Sequence, residues 1–134
     1  MLGGWNLPHL PIIERALGFA DRIAVRSATG AHTYRNLVDA AGRVATSLLG
    51  DQDDLREAPV AFLVPPGERY VQSLWGIWRA GGVAVPLSLF AEESELEYTL
   101  TDAQTQTVIT TNEFADKVTA ICRRNGLQTL CIDE

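Results

Sequence analysis

The chain has 134 residues, 46% hydrophobic and 21% charged, a balance too apolar for disorder, and a length at which one domain buries roughly 68% of its unfolded surface. Eleven Lys and Arg against 17 Asp and Glu leave a net charge of −6, so the clustered cations that nucleic acid requires are missing and that partner is excluded. No run approaches the ~20 apolar residues of a membrane span, and the first residues show neither a basic signal start nor an Arg-rich amphipathic pattern; residues 1–134 are expected to form a single cytoplasmic domain.

Two prolines in "WNLPHLPII" predict an irregular lead-in over residues 1–11, ahead of a short amphipathic helix over 12–18. "RIAVRSATGAHTY", residues 22–34, reads as two strands about an Ala-Thr-Gly turn. Thr33 is placed to cap the next helix, on which Leu37, Ala41, Val44, Ala45 and Leu48 recur at helical spacing until Gly50. The acidic stretch 51–58 is a solvated loop, and its Asp51, Asp53 and Asp54 lack the glycine and distant glutamate of a calcium loop. From Pro59 onward strands and helices alternate: VAFLV, GERYVQSLWGIWRA, VAVPL, EESELEYTLTD, TVITT, NEFADKVTAICRRNG and TLCID. This alternation predicts βαβ units and therefore an α/β fold, a mostly parallel sheet with helices on both faces, preceded by the hairpin and the small helix.

"WRAGGVAVPL", residues 78–87, sets two glycines against a strand, as phosphate-binding loops do. Val71, Leu74, Trp75 and Trp78 recur at i, i+3, i+4 and i+7, so a helix precedes Gly81 and Gly82 and presents its carbonyl end to them. A phosphate needs the opposite order, strand to loop to helix. The pair is therefore a helix C-cap, with Arg79 complementing the negative end of the dipole. "PPGERY", residues 65–70, does have the required order, but with one glycine and no Lys-Ser/Thr it is a weak phosphate-loop candidate beside a proline-set helix start. Loops 65–69, 87–92 and 111–113 are expected to share the carboxyl edge of the sheet, where ligands bind in open α/β folds.

Other candidates carry less. His9 and His32 have no acid or nucleophile at pairing distance in sequence. Glu92, Glu93, Glu95 and Glu97 crowd a helix start, where the dipole favours carboxylates and solvates them. Cys122 and Cys131 lack ligand spacing and read as buried free thiols. Tyr70, Trp75 and Trp78 are expected to pack a helix onto the sheet. No catalytic or metal-binding residue emerges.

"DRIAVRSATGAHTYRNLVDAAGRVATSLL", "VAFLVPPGERYVQSLWGIWRAGGVAVPL" and "ELEYTLTDAQTQTVITT" together resemble the N-terminal part of the adenylate-forming acyl-CoA synthetases, over residues 12–134. The shared pattern is Thr33-Tyr34, Ala80-Gly81-Gly82, Pro86-Leu87 and then Leu96, Tyr98, Leu100 and Asp102; "DRIAV", "DLREAPVAFL" and "GGVAVPL" are most similar to malonyl-CoA and methylmalonyl-CoA synthetases. The resemblance implies a parent enzyme that joins a carboxylic acid to ATP with Mg²⁺, then passes the acyl group to CoA. It also implies that this chain is inactive alone, because the Ser/Thr/Gly-rich phosphate loop and the C-terminal cap with its catalytic Lys are absent. By the same resemblance Ser88, Leu89 and Phe90 border the CoA pantetheine tunnel of the full enzyme.

The implied partners are the ATP-binding subdomain and the C-terminal cap, with self-association through the exposed docking face as a consequence of their absence. The other reading of the same elements is a stand-alone flavodoxin-like binding or scaffold module that uses the carboxyl edge of its sheet.

Overall fold

The computed structural model describes residues 10–133; most of the expected lead-in, and His9 with it, lies outside them. The chain divides into two compact units, one holding residues up to Arg56 together with Pro66–Gly82, the other Glu57–Pro65 together with Val83 onward.

The first unit begins with helix α1 (Pro11–Leu17), whose proline sits in the first turn, where a missing N–H costs nothing. Strands β1 (Ile23–Ser27) and β2 (Gly30–Thr33) pair antiparallel, with a register shift between Ile23 and Val25. Helix α2 (Tyr34–Leu49) starts at Thr33 as predicted: the Asn36 N–H donates to Thr33 Oγ1 at 3.1 Å and the Thr33 N–H to Asn36 Oδ1 at 3.1 Å, a reciprocal cap that satisfies two donors the helix leaves open. Its expected face is buried at Leu37, Ala41, Val44 and Ala45, joined by Val38 and Leu49.

Helix α3 (Glu68–Arg79) departs from the expected stripe. Trp75 is buried, Val71 and Leu74 are half-buried and Trp78 is exposed, while Ser73, Gly76 and Ile77 are buried. Trp75 joins Ile13, Ala16, Leu37, Val38 and Ala41 of α1 and α2. Small residues explain the shift of face. A methyl on Gly76 would lie 2.5 Å from Val44 Cγ1 and 3.1 Å from the Ala41 carbonyl, so the bare glycine lets α3 approach α2 more closely than a Trp face would.

The second unit is a four-stranded parallel sheet, β3 (Pro59–Leu63), β4 (Val83–Pro86), β5 (Thr107–Thr110) and β6 (Gln128–Cys131), in the order β4-β3-β5-β6. Val60, Ala61, Phe62 and Leu63 are all buried, the unbroken run expected of a strand covered on both sides. Helices α4 (Glu93–Asp102) and α5 (Ala115–Asn125) bring Leu96, Leu100, Val118, Ile121 and Cys122 against Ala61, Leu63 and Val108. A short 3₁₀ turn, Asn112–Phe114, replaces the first turn predicted for α5. A parallel sheet flanked by helices, with a small antiparallel hairpin ahead of it, is the α/β architecture that the alternation predicted. Among the described residues no helix is long and apolar enough to cross a membrane.

Candidate functional site

Gly81 and Gly82 close α3 at its carbonyl end. The Gly82 N–H reaches the Ile77 carbonyl at 2.9 Å and the Gly81 N–H the Trp78 carbonyl at 3.0 Å, the two bonds of a Schellman cap, with Gly81 at φ 84. Asp54 packs against the bare Cα of Gly81, while its Oδ1 accepts the Arg56 N–H at 2.8 Å. One carboxylate of the acidic loop is thus spent on fastening that loop to the helix end. Arg79 does something the dipole argument did not foresee: its Nη1 donates to the Val38 carbonyl of α2 at 2.8 Å.

The phosphate-loop candidate is already occupied by an acid. Glu68, the first residue of α3, is buried, and its carboxylate accepts hydrogen bonds of 2.7 Å from Ser27 Oγ and 2.7 Å from Thr29 Oγ1. His32 Nε2 lies 2.9 Å from Thr29 Oγ1 and 3.6 Å from Glu68. Burial alone would raise the Glu68 carboxyl, but the bonds from Thr29, Ser27 and its own backbone N–H, with His32 nearby, lower it to about 2. A buried carboxylate at a helix N-terminus satisfies the positive end of the dipole internally and repels a phosphate. The residues around 65–70 therefore do not fit a nucleotide. Sequence reading missed this cluster because Glu68 stands 41 and 39 residues from its hydroxyl partners.

Loops 87–92 and 111–113 follow β4 and β5, which run parallel in one sheet, so both leave its carboxyl edge. In the first, Ser88 Oγ accepts the Phe90 N–H at 3.2 Å and the Ser88 carbonyl accepts the Ala91 N–H at 3.2 Å. This tight turn holds Leu89 half-buried and leaves Phe90 95% exposed. Lys117 of α5 fixes the turn from below, donating from Nζ to the Leu89 carbonyl at 2.8 Å. In the second, Asp133 accepts the Asn112 N–H, and Cys131 Sγ donates to Asn112 Oδ1 at 3.0 Å. Cys122 is buried as expected, whereas Cys131 is only half-buried; both thiols are free.

The glutamates of α4 are more than a solvated helix end. Arg124 of α5 donates to Glu97 at 3.1 Å and to Glu93 at 3.2 Å, and Asn125 adds a bond of 2.7 Å to Glu97. The Arg124 bond first, and the Asn125 bond second, lower the Glu97 carboxyl; the same pairing raises Arg124.

Comparison with known proteins gives this arrangement its context. The AMP-binding enzyme family model matches residues 12–133. The human mitochondrial malonate–CoA ligase ACSF3 is 36% identical over 126 residues, covering 90% of this chain and 22% of the human protein. The malonate–CoA ligase of Arabidopsis thaliana is 26% identical over 84% of this chain and 21% of its own. The chain thus spans about a fifth of the length of the curated relatives it matches. Among solved structures, apo MatB from Rhodopseudomonas palustris superposes with a TM-score of 0.72 at 29% identity, over 91% of this chain and 25% of that one. The anthranilate CoA ligase AuaEII bound to anthranoyl-AMP gives 0.80 at 25% identity, over 96% and 26%. With the family model matched over nearly its whole length, the chain belongs to the AMP-binding enzymes.

Proposed function

We propose that these residues form the N-terminal part of an ATP-dependent acid–CoA ligase that activates malonate or methylmalonate. The animal and plant relatives named above are both malonate–CoA ligases, and that shared naming is the observation that carries the choice of acid. The longer protein takes the carboxylate to an acyl-adenylate with ATP and Mg²⁺ and then to the CoA thioester, and the ATP-binding subdomain and C-terminal cap are the partners of the present residues. The buried Glu68 carboxylate at the N-terminus of α3 supports this division of labour, because its charge opposes the phosphates of ATP there.

The turn Ser88-Leu89-Phe90 borders the pantetheine arm of CoA in this reading. An aromatic ring that is 95% exposed on a turn held by Ser88 and Lys117 offers an apolar wall on a rigid base. The test is a malonate-dependent pyrophosphate-release and thioester assay on the longer protein that contains these residues. Turnover with malonate, and a KM for CoA that rises about tenfold in Phe90→Ala while the KM for ATP stays within twofold, are the expected results. Failure to turn over malonate or methylmalonate overturns the acid assignment; an unchanged KM for CoA overturns the role of Phe90.

A further inference from the structure

The first unit holds a cavity of about 500 Å³ beside α1, within the range of small-molecule sites. Its floor is Ala16 and Trp75, both buried, and its rim is Ile12 and Phe19, at 44% and 39% exposure. The sequence accounts for the space. Ala16 and Ala41 are the small members of a cluster that also holds Ile13, Leu37, Val38 and Trp75, and of the two Ala16 lines the cavity beside Trp75, where a longer side chain would fill the gap. Apolar atoms dominate the walls, and two polar side chains, Arg15 and Tyr34, also line it.

Arg15 is the charged residue among those that line the cavity. Arg15 and, from outside the lining, Arg22 both face the Phe19 ring, their guanidinium carbons 5.9 and 4.8 Å from its centroid. Among the described residues no carboxylate pairs with Arg15, although the chain as a whole carries an excess of six acidic groups. A guanidinium stacked on a ring keeps its edge N–H groups free to donate, and those donors match a carboxylate.

We propose that this cavity binds a small amphipathic carboxylate, its flat apolar body against Trp75 and Ala16 and its carboxylate on Arg15. Apolar burial supplies most of the affinity, and the guanidinium selects the acid over its neutral analogue. The proposal is independent of the ligase reading, since every residue it uses lies in the first unit and no step of the ligase reaction is involved.

The test is titration calorimetry of the 134-residue chain with 1-naphthoate and with neutral 1-naphthalenemethanol, on the natural sequence and on Arg15→Gln. Arg15 is exposed, so the substitution leaves the fold intact, and an unchanged urea midpoint verifies this. The expected result is saturable binding of naphthoate, weakened about tenfold by Arg15→Gln, with the alcohol weaker from the outset and indifferent to the substitution. No saturable binding at millimolar naphthoate overturns the proposal. So does equal affinity for both chains, or an alcohol that binds as tightly as the acid.

Discussion

Glu68 is the residue on which the hairpin and α3 meet. Its carboxylate gathers Ser27, Thr29 and His32 in a buried setting, and these hold its pKa at about 2, below the ordinary carboxyl value of 4.5. A group depressed on folding contributes stability that is complete above the unfolded value and is lost as pH falls through the folded one. The window is therefore pH 4.5 down to about 2, and the full contribution is about 3 kcal/mol. Urea unfolding of the natural chain and of Glu68→Gln at pH 7 and pH 3 measures it. The gap between the two chains is expected to shrink by about 2 kcal/mol at the lower pH, and a gap that stays constant refutes the assignment. His32 was legible in the sequence only as an isolated histidine, because its partners are brought in by the hairpin and by a helix start far along the chain.

At the scale of elements, the contact of α2 with α3 turns on Gly76. Alanine is the better helix former by up to about 1 kcal/mol, yet its methyl would meet Val44 at 2.5 Å and the Ala41 carbonyl at 3.1 Å. Overpacking of this kind typically costs about 1–3 kcal/mol, so Gly76→Ala is expected to lower stability despite the propensity gain. Combining it with Val44→Ala should recover part of the loss, because the closest clash is with the valine branch. Equal or higher stability of the single variant in urea would show that the helices part without cost. The glycine cap that ends α3 and the Thr33 cap that starts α2 were legible beforehand, since each is completed within about six residues. The buried face of α3 was not, because Trp78 carries the stronger apolar signal while glycine and serine decide the approach.

At the scale of the whole molecule, the malonate–CoA ligases that the chain matches are about five times its length. The two units expose apolar groups, Phe90 at 95% and Tyr98 at 70% in the second, Leu17 and Ile23 near half in the first. Purified alone, the 134-residue chain is expected to release no pyrophosphate from ATP with malonate, methylmalonate or acetate. The reason is that the strand-loop-helix turn ahead of α3 carries a buried carboxylate, Glu68, at its helix N-terminus, which opposes a phosphate there. Turnover by the isolated chain in a coupled assay would overturn that reading.

By itself the sequence determined the order of elements, the parallel sheet and the nature of the glycine pair. These depend on short-range chemistry: helical and strand periodicity, caps and the direction in which a helix leaves a loop. The resemblance carried by its motifs placed it in the right family. Only the tertiary structure decided that Glu68 closes the phosphate-loop candidate, that Arg124 gathers Glu93 and Glu97 of α4, and that Ala16 and Trp75 leave a cavity beside Arg15. Each of these joins side chains from separate elements, and such pairings follow from packing geometry that no local spacing encodes.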